Sequence, residues 1–260
     1  HEIEGFIMNY SKLLQAILDI AEEMLVCGAG VDRVEDSIER MCYAYGCDRV
    51  NAFIITSNIQ VTIEDPNGEI ITQIRRLVRN DTNFDRLDYL NNLSRYICAN
   101  KPSLPELIAK YEEVMTRKEY PVWIDYLGAI LVASGFCVFF GGDVLDAVSA
   151  GLLGVIITVI RRFMSKVEEN QMAKAFVSSI VAGVAAILCV MIGIGDHVDK
   201  IMIGGIMLLI PGIAMTNSIR DMLIGDIVTG LLRFVNSVLI AGAIACGFAL
   251  PLILMGGGVL

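Results

Sequence analysis

The 260-residue chain is 55% hydrophobic with a mean hydropathy of +0.63, more apolar than ordinary soluble domains (about 45–50% apolar), which excludes a wholly soluble protein. Its net charge of −9 is unevenly spread: residues 1–121 carry 13 Lys/Arg against 20 Asp/Glu, and residues 122–260 carry 7 against 9. An acidic first half argues against nucleic acid as a partner, because phosphate backbones demand clustered positive charge.

Residues 1–7 read as a non-native lead before a natural start at Met8. The acidic, amphipathic N-terminus does not resemble a cleavable signal peptide. From residue 9 to 27, Leu13, Ile17, Ile20 and Met24 recur at helical spacing. Gly28-Ala29-Gly30 breaks that helix, and a second follows with Val31, Val34, Ile38, Met41 and Tyr45 on one face and Gly46 at its end. VNAFII (50–55), NIQVTIED (58–65) and EIITQIRRL (69–77) are rich in β-formers, and Asp65-Pro66-Asn67-Gly68 supplies the turn between the second and third. Two more helices are expected near 84–99 and 104–117. Arg75, Arg76 and Arg79 make one small basic group, but Glu69, Asp81 and Asp85 surround it, as on a solvated face. The order α-α-β-β-β-α-α predicts a small α+β domain over residues 1–121.

Beyond Pro121 the pattern changes. Five apolar stretches, about 123–140, 144–164, 175–195, 200–219 and 227–254, each approach the ~20 residues a helix needs to cross a bilayer. The predicted fold class is therefore an α-helical integral membrane protein: five transmembrane helices over 122–260, preceded by the α+β domain. Arg117 and Lys118 precede the first stretch, Arg161, Arg162, Lys166 and Lys174 occupy the second connector, and Arg220 the fourth. The first connector has neither Lys nor Arg and the third has only Lys200. This asymmetry predicts a cell-membrane protein with a cytoplasmic N-terminus and an external C-terminus. Gly128, Gly151, Gly154, Ala182-Gly183, Gly204-Gly205, Gly242 and Gly247 are small enough for close helix approach, as in a packed bundle.

Seven cysteines, Cys27, Cys42, Cys47, Cys98, Cys137, Cys189 and Cys246, form no CxxC pair and read as buried thiols. With only His1 and His197 as histidines, no metal site is expected, and no cofactor is implied. The chain also lacks Gly-x-Ser-x-Gly, His-Glu-x-x-His and Walker-type loops, so ATP-driven transport has no engine here.

The chemistry concentrates in IPGIAMTNSIRDMLIGDIVTGLLRF, residues 210–234. Pro211-Gly212 falls near the middle of the fourth stretch, where a helix interruption is tolerated when it lines a cavity. Thr216, Asn217 and Ser218 follow, then Arg220, Asp221 and Asp226. Arg233 lies about 10 Å beyond Asp226 along a helix, with Asn236 roughly on the same face. One reading joins these into a polar pathway for a carboxylate-bearing solute. The other makes residues 220–226 an ordinary cytoplasmic turn, Arg233 a side chain reaching back to the headgroups, and Pro211 a packing kink.

GAGVDRVEDSIERM (28–41) together with PGIAMTNSIRDMLIGDIVTGLLR (211–233) resembles the threonine/serine exporter (ThrE) family, and is closest to its short YjjP-like members. The resemblance spans nearly the whole chain. It implies export of small carboxylate-bearing metabolites, threonine and serine in long members and succinate in split ones, where a YjjB-like membrane subunit supplies further spans. The functional expectation is a secondary-active, proton-coupled exporter or exporter half, acting with a homo-oligomer or such a partner among the membrane lipids. Pro211, Gly212, Thr216, Asn217, Arg220, Arg233 and Asn236 are the candidate substrate residues, and Asp221 and Asp226 the candidate proton carriers. Two alternatives remain. One is a membrane-anchored hydrolase using Asp32, Glu35, Asp36 and Glu39 on the second helix, a face equally well read as solvated. The other is a regulatory or assembly subunit of a transporter.

Overall fold

The structure, a computed structural model, describes residues 8–55, 57–77, 82–118, 120–168 and 170–255. Arg79, Asp81 and residues 1–7 lie outside them. The chain forms two compact units, one of His1–Glu119 with Asn217–Leu232, the other of Tyr120–Thr216 with Arg233–Leu260.

In the first unit, α1 (Tyr10–Val26), α2 (Val31–Ala44), β1 (Arg49–Ile55), β2 (Asn58–Glu64), β3 (Ile70–Arg76), α3 (Phe84–Asn100) and α4 (Leu104–Thr116) follow the order read from periodicity. The helix α1 packs against α2, α3, α4 and β3, so its burial is wider than one stripe: Leu14, Leu18 and Ala21 are as inaccessible as Leu13, Ile17 and Met24. Each such Leu or Ile contributes about 1.5–3 kcal/mol on leaving water. Only a central position makes that possible.

The α2 stripe of Val31, Val34, Ile38 and Met41 is fully buried, and Gly46, at φ +90°, turns the chain out of the helix into β1. The three strands form an antiparallel sheet in the order β1-β2-β3. At the β2–β3 turn Asp65 accepts from the backbone N–H groups of Asn67 and Glu69, at 2.9 and 2.8 Å. An ion pair of the buried Glu23 with the partly exposed Arg86 braces α1 on α3, with Arg86 Nη1 2.9 Å from Glu23 Oε1.

In the second unit, α5 (Val122–Phe139) and α6 (Val144–Val167) form a close antiparallel hairpin. A methyl group on Gly154 would stand 2.7 Å from the Ala129 carbonyl oxygen, and Ser134 Oγ donates to the Ala147 carbonyl at 2.7 Å. At the other end of this pair, Arg162 Nη2 sits 2.7 Å from Asp125 Oδ2. The helix α7 (Gln171–Ile192) meets α10 (Ile227–Met255) where Gly183 faces Pro251 and Gly247 faces Ser179. Gly128 and Gly242 face open space, so only part of the small-residue set serves helix approach. All seven cysteines are free thiols, Cys246 exposed and Cys98 and Cys189 half-buried.

Among the described residues, α5, α6, α7 and α10 are the four helices long and apolar enough to cross a membrane. The fourth apolar stretch of the sequence is two shorter helices, α8 (Val198–Ile206, 9 residues) and α9 (Gly212–Ile224, 13 residues). At 1.5 Å per residue these reach about 14 and 20 Å, each short of a ~30 Å hydrocarbon core.

Candidate functional site

The interruption between α8 and α9 has a local cause. Pro211 has no N–H to continue the α8 ladder, and its ring disfavours the α-conformation for Ile210. The last bonds of α8 tighten to Leu208 N–H on Gly205 and Leu209 N–H on Ile206, and Ile210 N–H closes on the Ile206 carbonyl at 3.0 Å. The new helix then opens with the Met215 N–H on the Pro211 carbonyl at 3.0 Å.

On α9, the Thr216 hydroxyl donates to the Gly212 carbonyl one turn back, at 3.0 Å. Asn217 is half-buried, while Ser218 and Asp221 are fully buried. Arg220 takes a partner the sequence does not announce: its Nη2 lies 2.6 Å from both Asp32 oxygens, in the first turn of α2. Gly30, the N-cap of α2, allows this approach, since a methyl there would stand 3.2 Å from the same guanidinium nitrogen.

A tight corner joins α9 to α10. The Asp226 N–H bonds the Asp221 carbonyl at 2.9 Å and the Gly225 N–H bonds that of Met222 at 3.4 Å, a Schellman ending with Gly225 at φ +109°. Gly230 is packed into the corner, where a methyl would meet the Ser218 carbonyl at 2.7 Å. Asp226 therefore sits half-buried at a helix–helix corner. Arg233, also half-buried, and the exposed Asn236 lie further along α10, with Ser237 Oγ donating to the Arg233 carbonyl.

The acidic face of α2 divides by role. Asp36 pairs with Arg40 in solvent at 2.8 Å, while Glu35 accepts from the Ile54 N–H at 3.2 Å. Burial pushes the Glu35 carboxyl up from its ordinary range, against the Ile54 bond that lowers it, and the charges of Asp226, Glu39 and Asp32 push it further. A separate groove of about 370 Å³ lies between α3 and α4. There Arg117 rests 3.6 Å over the Tyr89 ring and Lys110 4.4 Å over Tyr96, so both cations already have aromatic partners.

In the second unit, Asp143, Asp146 and His197 bring ligand-type atoms within 4.8 Å of one another. Asp146 is fully buried, and each of its oxygens already accepts two hydrogen bonds. Oδ1 accepts from the Asp196 and His197 N–H groups, and Oδ2 from the Asp143 N–H and His197 Nδ1. With its lone pairs taken, this cluster is a clasp between two connectors rather than an open ion site. Asp143 and Asp146 were not singled out from the sequence; the Asp-x-x-Asp spacing of a capping box is a local signal that could have marked them, whereas nothing local marks the link to His197.

Four long apolar helices, an interrupted stretch of polar and charged residues, and a folded acidic α+β portion define a multi-span helical membrane protein. The chain belongs to the threonine/serine exporter (ThrE) family, whose model matches residues 15–255. It is 23% identical to a Mycobacterium tuberculosis protein named "Probable threonine/serine exporter", over 94% of this chain and 46% of that protein. It is 24% identical to a "Threonine/serine exporter" of Corynebacterium glutamicum, over 77% of this chain and 41% of that protein. The chain thus spans less than half the length of these two relatives. A Klebsiella aerogenes protein named "Probable succinate transporter subunit YjjP" is 23% identical over 90% of both chains. No solved structure matches.

Proposed function

We propose that this chain is a secondary-active exporter, or one subunit of one, for small carboxylate-bearing metabolites of the threonine, serine or succinate kind. The observation that supports it most is the interruption between Ile206 and Gly212. Such a break leaves helix ends that hydrocarbon cannot satisfy, whereas a hydrated substrate path can. In this reading α8 and α9 together make a fifth, broken crossing. The α+β portion lies in the cytoplasm and the C-terminal end of α10 outside.

Pro211 and Gly212 open the path. Thr216, Asn217, Arg220, Arg233 and Asn236 recognise the polar and carboxylate groups of the solute, and Asp221 and Asp226 carry the coupling proton. The pairing of Arg220 with a carboxylate, 2.6 Å from both oxygens, supports its assignment to carboxylate recognition. The near-full overlap with the YjjP-like protein favours a subunit that acts with a second small membrane protein or with further copies of itself.

Efflux from cells preloaded with threonine, serine or succinate tests this. Expression of the chain, alone or with a YjjB-like partner, should raise the export rate, and Arg233→Ala at unchanged protein level should abolish the increase. Wild-type efflux by that variant would remove Arg233 from the path.

A further inference from the structure

We propose that Asp146 and His197 form a pH-sensitive latch that ties the start of the broken segment to α6, closed when the imidazole is protonated and loosened when it is neutral.

The geometry is specific. Asp146 lies in the first turn of α6, yet it holds the backbone N–H groups of Asp196 and His197, at 2.9 and 3.0 Å, and His197 Nδ1 at 2.8 Å. His197 is the N-cap of α8, so this single carboxylate fixes where the interrupted segment begins. The Ser149 hydroxyl, one turn further along α6, donates to the Ile194 carbonyl of the same connector. Gly195, at φ +134°, lets the backbone come this close, since a methyl there would stand 3.0 Å from Asp146 Oδ1. The rest of α8 packs against α5, α6 and α7, so the latch acts on the first turn of a helix already held on three sides.

Asp146 is sealed from solvent while the His197 side chain is 53% exposed, so the pair joins a fixed buried charge to a group that samples bulk pH. The groups around it are Asp143 at the α6 N-cap, Asp196 in the connector and Asp199 with its partner Lys200 on α8. From α5 there is only the buried Cys137 thiol beneath Gly142. The hydrogen bond to Asp146 raises the imidazole pKa above its ordinary value. The charge of Asp146 adds to this, desolvation opposes it, and the charges of Asp143 and Asp199 add further. Latching therefore gains stability that is complete below the pKa of the open-state imidazole. That gain is lost as pH rises through the higher, latched value.

Hydrogen exchange of the full chain in lipid nanodiscs, read as protection factors corrected for intrinsic rates, tests the latch. Wild-type amides at 196–201 should be better protected at pH 5.5 than at pH 8.5, by about tenfold for each unit by which latching raises the imidazole pKa. His197→Gln should hold one low level of protection at both pH values, and Asp146→Asn should lose protection throughout. If Asp146→Asn does not fold, His197→Gln alone decides. A His197→Gln profile that still follows the wild type overturns the proposal. So does a wild-type profile that disappears with EDTA, which would make the cluster a metal site. The latch rests on the contacts of Asp146 and His197 and not on the exporter reading. Exchange needs no transport, so the latch and that reading can fail separately.

Discussion

The guanidinium of Arg220 and the carboxylate of Asp32, 188 residues apart in sequence, meet with one nitrogen 2.6 Å from both acid oxygens. Both side chains stay about 40% exposed, so the pair adds at most about 1 kcal/mol to stability. Its consequence lies in what it positions. Asn217–Leu232 belongs to the same compact unit as α2, and this is the stretch that holds Arg220, Asp221 and Asp226.

Reversing either partner alone, as Asp32→Arg or Arg220→Asp, sets like charges against each other and should lower substrate efflux about tenfold or more, the scale of a lost charge-assisted bond. The double reversal should leave protein levels normal. If Asp32 acts only by positioning Arg220, the double reversal restores the fold of the corner but not efflux, because the side chain on α9 is then an acid. Efflux at the wild-type rate in the Arg220→Asp variant would show that the solute does not meet this guanidinium.

Glu35 should make the stability of the first unit pH-dependent. Its folded-state pKa is raised by burial, so the protonated carboxyl is favoured in the fold. That contribution is present below the unfolded-state value of about 4.3 and is lost as pH rises through the folded one. Glu35→Gln keeps an acceptor for the Ile54 N–H and removes the charge. Its thermal midpoint should exceed that of the wild type near pH 7, by a free-energy gain below about 1 kcal/mol in this partly exposed setting, and match it near pH 4.

The Glu23–Arg86 pair should behave differently, because the Glu23 side chain is only 3% exposed. Arg86→Ala removes a charged hydrogen-bond partner from that buried carboxylate and should cost about 1.5–3 kcal/mol. Chemical denaturation followed by tyrosine fluorescence would measure the loss.

Close helix approach in the second unit can be tested at Gly154. A side chain there meets backbone, the Ala129 carbonyl, and backbone cannot yield as a flexible side-chain tip can. Gly154→Val should cost about 1–3 kcal/mol and lower the detergent unfolding temperature, whereas Gly242→Ala, facing open space, should change it little.

Local physics made much of this protein legible in its sequence. Period-3.6 and period-2 patterns depend on neighbours in the chain, so the α-α-β-β-β-α-α order, the α2 stripe from Val31 to Met41 and the helix ending at Gly46 could be read directly. The same held for the apolar length of α5, α6, α7 and α10 and for the interruption at Pro211, whose missing N–H is a property of one residue. The family resemblance rested on two such local stretches.

The tertiary structure alone decided the partnerships. Asp32 among four acids on α2 looks no different from Asp36, yet one holds Arg220 and the other faces solvent with Arg40. Asp146 reads as a capping residue, and nothing along the chain announces His197 as its second partner. The width of the α1 burial, which takes in Leu14, Leu18 and Ala21 beside the stripe read from spacing, is set by the enclosing α2, α3, α4 and β3. Charge pairing and burial are set by distance in space, and the chain must fold before residues 51 or 188 positions apart acquire one.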